Sequence, residues 1–434
     1  MNNIITEKTN PRICEKYYHV SHKSGLEIYV IPKKMSTSYA LFATKYGSID
    51  NRFRTENEKD FTEVPMGVAH FLEHKMFENE DGIDTFARFA ATGANANAYT
   101  TFDKTAFLFS CTDNFEQSLK ILLDFVSSPY FTPETVQKEQ GIIAQEIKMY
   151  EDLPSNVLFY NLLGIMYDSH PVKINIAGTV ESISEISADL LYRCYNTFYN
   201  PSNMALCVCG DIDPNVVVAA ADQIIQKRPP VVIERFFPQE PAGVRTAQIE
   251  GTADISMPLM MLGLKDTDIS KDPVIRQKKG VCVDLILDIL FGKTSAFYES
   301  LYKEGLINGS LNTDYEHNRN FSFATVSAES KNPQEVFRRI RRHIEKHQAL
   351  KTLSDDDFIR AKRALYADAV TAFDSTEEIA NSFLDFIFDD FDMLNYTDII
   401  SAITLEEVNA ILHSPMFSKK AMALSVLYPR QSHK

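Results

Sequence analysis

Gly67-Val68-Ala69-His70-Phe71-Leu72-Glu73-His74-Lys75-Met76-Phe77 is the stretch whose reading decides the rest of the chain. Within it stand His70, Glu73 and His74. On a helix, positions i, i+3 and i+4 share one face, so both imidazoles and the carboxylate point the same way. Apolar Val68, Phe71, Leu72, Met76 and Phe77 surround them, which suits a buried helix. Two neutral imidazoles one turn apart can ligate one zinc ion. A carboxylate beside the ion can then take a proton from water whose pKa the ion lowers to about 7. A polar stripe on an amphipathic helix has the same spacing, so the reading turns on a third ligand and on context.

Downstream, residues 134–150 read as a helix carrying Glu139 and Glu146. The two acids are two turns apart and share a face. Acids facing a core are costly unless they meet a cation, and a metal provides one. Solvated surface acids have the same spacing. Between the two helices lies Gly93-Ala94-Asn95-Ala96-Asn97-Ala98-Tyr99-Thr100, small, polar and alternating. It reads as a loop, an ordinary strand, or an edge strand that pairs with an extended peptide through its backbone. Residues 27–31, 40–45, 105–111 and 204–209 read as strands, 114–127 as an amphipathic helix, and 52–63 as a charged loop.

The pattern then repeats. Strand 105–111, helix 114–127 and helix 136–143 return as 321–328, 333–347 and 358–365. Segment 183–190 matches 403–409, and 199–210 matches 417–428. An interval of roughly 220 residues is larger than any solenoid repeat, so this is an internal duplication. Residues 229–244 hold Pro229, Pro230, Pro238 and Pro241, break periodicity and read as an extended linker. The expected division is a zinc-binding catalytic domain at 1–228, the linker at 229–244 and a metal-free homologous domain at 245–434. The expected fold class is α+β, each domain a mostly antiparallel sheet packed with helices, the two forming half of a clamshell. In a direct ungapped pairing His70, Glu73 and His74 fall opposite Val283, Ile286 and Leu287, so the second copy carries no metal site.

Composition narrows the function classes. Hydrophobic residues make up 44% and charged residues 24%, as in an ordinary folded core. A formal net charge of −15 argues against nucleic acid as a partner, because phosphates are repelled. The six cysteines are scattered, which fits a reducing compartment. Cys207 and Cys209 alternate along an apolar run and are expected on one side of a strand as small hydrophobes. The first 17 residues lack an apolar signal core, and no run is long and apolar enough to span a bilayer. The expectation is a cytoplasmic protein with no membrane partner.

With these pieces together, the sequence resembles the pitrilysin/insulinase family of zinc peptidases, the inverzincins, in which the His-Glu-x-x-His order is inverted. It is similar to the short-chain branch that includes mitochondrial processing peptidase and related bacterial peptidases, over nearly the whole chain. The carrying residues are His70-x-x-Glu73-His74 and Glu146 within Gly141-Ile142-Ile143-Ala144-Gln145-Glu146-Ile147, with Glu139 two turns earlier. Residues 93–100, Tyr199-Asn200-Pro201-Ser202-Asn203 and Gly210-Asp211 support them.

The resemblance implies one zinc per chain, ligated by His70, His74 and Glu146, with Glu73 as general base and Glu139 orienting a histidine ligand. It places Asn97, Ala98 and Thr100 on the edge strand that receives the substrate backbone. The implied activity is that of a zinc metalloendopeptidase hydrolysing unfolded or moderate-size peptides in an enclosed chamber. The alternatives are a metal-binding but weakly active scaffold subunit of a larger complex, or a peptide-binding module. One departure stands out. The branch carries an Arg and a Tyr in its second domain, in a segment like Leu-Arg-Glu-x-x-Gly-Leu-x-Tyr, where this chain has Leu301-Tyr302-Lys303-Glu304-Gly305-Leu306-Ile307-Asn308. Tyr302 stands at the Arg position and Asn308 at or beside the Tyr position. The expectation is a heterodimer whose paralogous partner chain supplies the Arg and Tyr. A homodimer in which Arg319 or Tyr315 substitutes is the alternative.

Overall fold

A computed structural model describes residues 3–309, 311–350 and 353–430. Its strands are β1 (Ile4–Asn10), β2 (Glu15–Ser21), β3 (Glu27–Pro32), β4 (Ser38–Thr44), β5 (Arg52–Thr55), β6 (Thr62–Glu63), β7 (Asn95–Thr100), β8 (Thr105–Cys111), β9 (Met204–Gly210), β10 (Ile233–Arg235), β11 (Gln248–Ala253), β12 (Leu259–Asp266), β13 (Asn312–His317), β14 (Ser322–Glu329) and β15 (Met422–Pro429). Five helices bear on the site and its packing: α1 (Val68–Met76), α2 (Pro133–Glu151), α3 (Pro154–Met166), α4 (Pro273–Phe291) and α5 (Thr376–Phe388).

The first sheet has the order β1-β2-β3-β9-β4-β8-β7 and the second β11-β15-β12-β14-β13. The last five strands of the first sheet and the five of the second correspond one to one. In both, the outer pair β3–β9 or β11–β15 is parallel and the remaining pairs are antiparallel. Two α+β units built from the same five-stranded plan are what a sequence duplication produces.

Alternation along the strands divides the first sheet between two cores. Ala40, Phe42, Phe107, Phe109, Leu206 and Val208 face the side that holds α1. Tyr29, Leu41, Ala43, Cys207 and Cys209 face α5, whose Phe383 and Leu384 are buried against them. The two cysteines do share one face, and the chain's cysteines are unpaired among the described residues.

Sequence halves and compact units do not coincide. The first unit includes Ile174–Phe237 and also Val370–Leu394; the second includes Lys148–Lys173 and Pro238–Ala369. The split into 1–228 and 245–434 therefore misses an exchange of two segments. Helix α3, from the first half, packs on β12 and β15. Helix α5, from the second half, packs on β4 and β9. Each repeat donates a helix to the other's sheet. The reason is local fit. Gly263 on β12 lets Met166 and Leu162 of α3 sit against the strand, where an added Cβ would lie 2.1 Å from the Met166 sulfur. Phe383 of α5 meets Tyr17 edge-on, with ring centroids 4.7 Å apart. Lys104, in the turn between β7 and β8, pairs with Asp385 of α5 at 2.7 Å. The Tyr99 hydroxyl on β7 donates to Asn381 Oδ1 at 2.8 Å.

The charged stretch 52–63 is not simply a loop. Strand β5 pairs with β6 and with β10, forming a three-stranded sheet. The expected linker thus contains a strand, β10, that is fastened to the first unit. The second copy differs at the end of its edge strand. His317 ends β13 as Thr100 ends β7, and its ring lies where a Cβ on Gly280 would be 2.6 Å from Nε2. Gly280 of α4 is thus the residue beside His317, with no side chain to meet it. Val283, Ile286 and Leu287 are core residues, each 2% exposed or less.

Candidate metal centre

Helix α1 opens at Gly67, where φ is +88° and an added Cβ would lie 2.4 Å from the Ala177 carbonyl oxygen. Only glycine meets both demands without strain. From this fixed start Phe71, Leu72 and Met76 enter the core, while His70, Glu73 and His74 form the other face. Helix α2 buries Val136, Ile143 and Ile147 and brings Glu139 and Glu146 to the same place. Lys75, next to the histidine, is fully buried and spends its charge on Glu78.

His70 Nε2 lies 3.7 Å from Glu146 Oε1, and His74 Nε2 lies 3.4 Å from Glu146 Oε2. The ligand atoms of His70, His74 and Glu146 all fall within 4.8 Å of one another. A tetrahedral zinc with bonds of roughly 2.0–2.2 Å wants its ligand atoms about 3.3–3.6 Å apart, and the two histidine–Glu146 separations lie at or close to that span. It is the one such group of His, Cys, Asp or Glu among the described residues. On its other side His74 presents Nδ1 to Glu139 Oε1 at 3.0 Å.

The electrostatics agree with a cation site. Burial, with the neighbouring His74, pushes the His70 imidazole down to about 3, so it stays neutral with a lone pair to give. At His74 burial is outweighed by the Glu139 hydrogen bond and by the charges of Glu73 and Glu146, and its pKa is raised. Glu73 is raised by burial and by Glu146, against the Thr100 hydrogen bond and His74. Three carboxylates packed in a partly dry site are costly unless a positive charge joins them.

The edge strand separates into two kinds of residue. Thr100, expected to face substrate, turns its hydroxyl to Glu73 Oε2 at 2.6 Å. Asn97 and Ala98 lie further along β7. The Ala98 N–H donates to Asn97 Oδ1 at 2.9 Å in an exposed position. Sequence spacing could place Ala96, Ala98 and Thr100 on one face of a strand. It held no sign that Glu73 was the neighbour of Thr100, or that Asn381 would hold Tyr99.

At the positions of the missing Arg and Tyr, Tyr302 is 56% exposed and stacks on Tyr298. Asn308 donates its amide to Glu329 at 3.2 Å. The Tyr315 hydroxyl is committed to Asp266 at 2.9 Å.

Comparisons with known proteins bear on the same residues. Residues 60–180 match the family pattern described as insulinase (peptidase family M16), and 185–365 match that of the peptidase M16 inactive domain. The chain is 40% identical over 420 residues to an uncharacterized zinc protease, YmfH, of Bacillus subtilis (strain 168), covering 96% of this chain and 97% of that one. The crystal structure of a putative M16-like peptidase from Alicyclobacillus acidocaldarius superposes with a TM-score of 0.92 at 34% identity, over 98% of this chain and 100% of that one. Pitrilysin has the same fold, with a TM-score of 0.74 at 15% identity over 99% of this chain and 46% of pitrilysin. No described helix is long and apolar enough to cross a membrane. Full-length likeness to a zinc protease, matched patterns in both halves and a duplicated sheet make this chain a member of peptidase family M16.

Proposed function

We propose that this chain is a zinc-dependent endopeptidase that cleaves extended peptides, with one zinc per chain held by His70, His74 and Glu146. The observation that carries the reading is the convergence of those three ligand groups beside the buried carboxylate of Glu73. When bound, zinc supplies Lewis acidity, lowering the pKa of water and polarising a carbonyl. Glu73 takes the proton from the attacking water and returns it to the leaving amine. Glu139 holds His74 in the orientation that points Nε2 into the site. An extended peptide pairs with β7, taking the Ala98 N–H in place of the Asn97 side chain. The test is incubation of the protein with zinc and a peptide library, with Glu73→Gln as control. The amide keeps the shape but cannot accept the proton, so hydrolysis falls by about 10²–10⁴ or more while zinc stays bound. Near-wild-type turnover in Glu73→Gln would remove Glu73 as the base.

A second chain is part of the reading. Tyr302 offers no guanidinium fork at the Arg position, Asn308 no phenol at the Tyr position, and Tyr315 is already engaged. A paralogous partner with Arg and Tyr would supply donors for the substrate carbonyl and the developing oxyanion; losing one such donor costs on the order of 10²–10³ in kcat. Adding a candidate paralogue to the isolated chain should raise kcat by that order. A fully active isolated chain, unchanged by the paralogue, rules the heterodimer out.

A further inference from the structure

The Glu73 carboxylate has two oxygens, and general-base catalysis uses one. The structure shows what holds the other. Thr100 Oγ1 lies 2.6 Å from Glu73 Oε2, and Thr100 is the one side chain among the described residues that hydrogen-bonds this carboxylate. The direction of that bond is fixed by what lies behind it. Thr105, fully buried and paired in register with Thr100, donates its own hydroxyl proton to the Tyr46 carbonyl at 2.9 Å. A hydroxyl has one proton to give. Thr105, 3.3 Å from Thr100, therefore presents only lone pairs to it. The Thr100 proton goes to the shorter, charged acceptor, Glu73. The Tyr199 hydroxyl, buried close to Glu73, donates no bond to it.

We infer that Thr100 is a positioning residue: it fixes Glu73 Oε2 so that Oε1 is the oxygen offered to the attacking water. This rests on the peptidase reading above. Thr100 sits two residues beyond Ala98, on the strand proposed to receive the peptide backbone. A peptide added along β7 therefore stiffens the element that aims the base, which ties substrate engagement to base orientation. An isolated serine or threonine elsewhere on the helix would orient Glu73 without this link.

Thr100→Val keeps the size and branching of the side chain but removes the donor, and Thr100→Ser keeps the donor. The expected result is a 10- to 100-fold loss of kcat in Thr100→Val, the kinetic equivalent of one hydrogen bond to a charged group. KM and zinc content should stay within twofold of wild type, and Thr100→Ser should recover most of the rate. A merely structural role would move KM, zinc content or both variants together. A kcat for Thr100→Val within twofold of wild type, or an equal loss in Thr100→Ser, overturns the inference. Should Thr100→Val not fold, Thr100→Ala carries the same expectation. If the wild-type chain cleaves nothing, alone or with its paralogue, the peptidase reading fails by itself, and crystal structures decide the present point. Glu73 displaced or in several orientations only in Thr100→Val supports it, and an unmoved carboxylate rejects it.

Discussion

Glu139 shows how much a single residue can do without touching the proposed metal. Its carboxylate reaches only the far nitrogen of His74, at 3.0 Å, and it is 7% exposed. A carboxylate in that position fixes the tautomer and raises the basicity of the ligating nitrogen. Glu139→Gln should keep the fold and lower zinc affinity about 10- to 100-fold, read by competition with a chromogenic chelator. His74→Ala and Glu146→Gln should lose most of the zinc in the same assay. Full affinity in Glu139→Gln would show that His74 needs no such support. At the same scale, the bond from Thr100 to Glu73 has no local sign in the sequence. The neighbours of Thr100 in sequence are strand residues, and nothing local says that a helix 27 residues earlier lies across its hydroxyl.

Among the elements, β7 carries the substrate argument. It closes one edge of the first sheet, so only β8 pairs with it. Its small side chains Ala96 and Ala98 pack on the core, and Tyr99 is tied to α5 through Asn381. The strand is rigid on one side and open on the other. Ala98→Pro removes the N–H that now meets the Asn97 side chain. The bond lost within the protein is an exposed one, so thermal stability should change little. The expected outcome is a rise in KM of about tenfold, as one backbone hydrogen bond to the peptide is lost. Asn97→Ala should change KM less, because an extended partner is recognised through the backbone. Unchanged KM and kcat in Ala98→Pro would count against strand addition.

In the whole molecule the exchange of α3 and α5 joins the two repeats into one folding problem. Residues 1–237 without α5 would expose Tyr17, Tyr29, Leu41 and their neighbours, a broad apolar face of the kind that drives association. Each half expressed by itself should be insoluble or unfold without a cooperative transition, and co-expression should restore soluble, cooperatively melting protein. A fragment 1–237 that melts sharply at the temperature of the full chain would show that the exchange is dispensable. By itself the sequence determined the face of α1 that carries His70, Glu73 and His74, the acids of α2, the duplication and the absence of such a set in the second copy. Those are set by helical spacing and residue type, which act within a few residues. The tertiary structure alone decided which repeat each helix covers, that His317 lies over Gly280, and that Thr100 holds the carboxylate. These depend on which surfaces fit across distant parts of the chain: Met166 over Gly263, Phe383 against Tyr17, a hydroxyl within 2.6 Å of an acid. Close packing selects such pairs by shape, and shape has no period in the sequence.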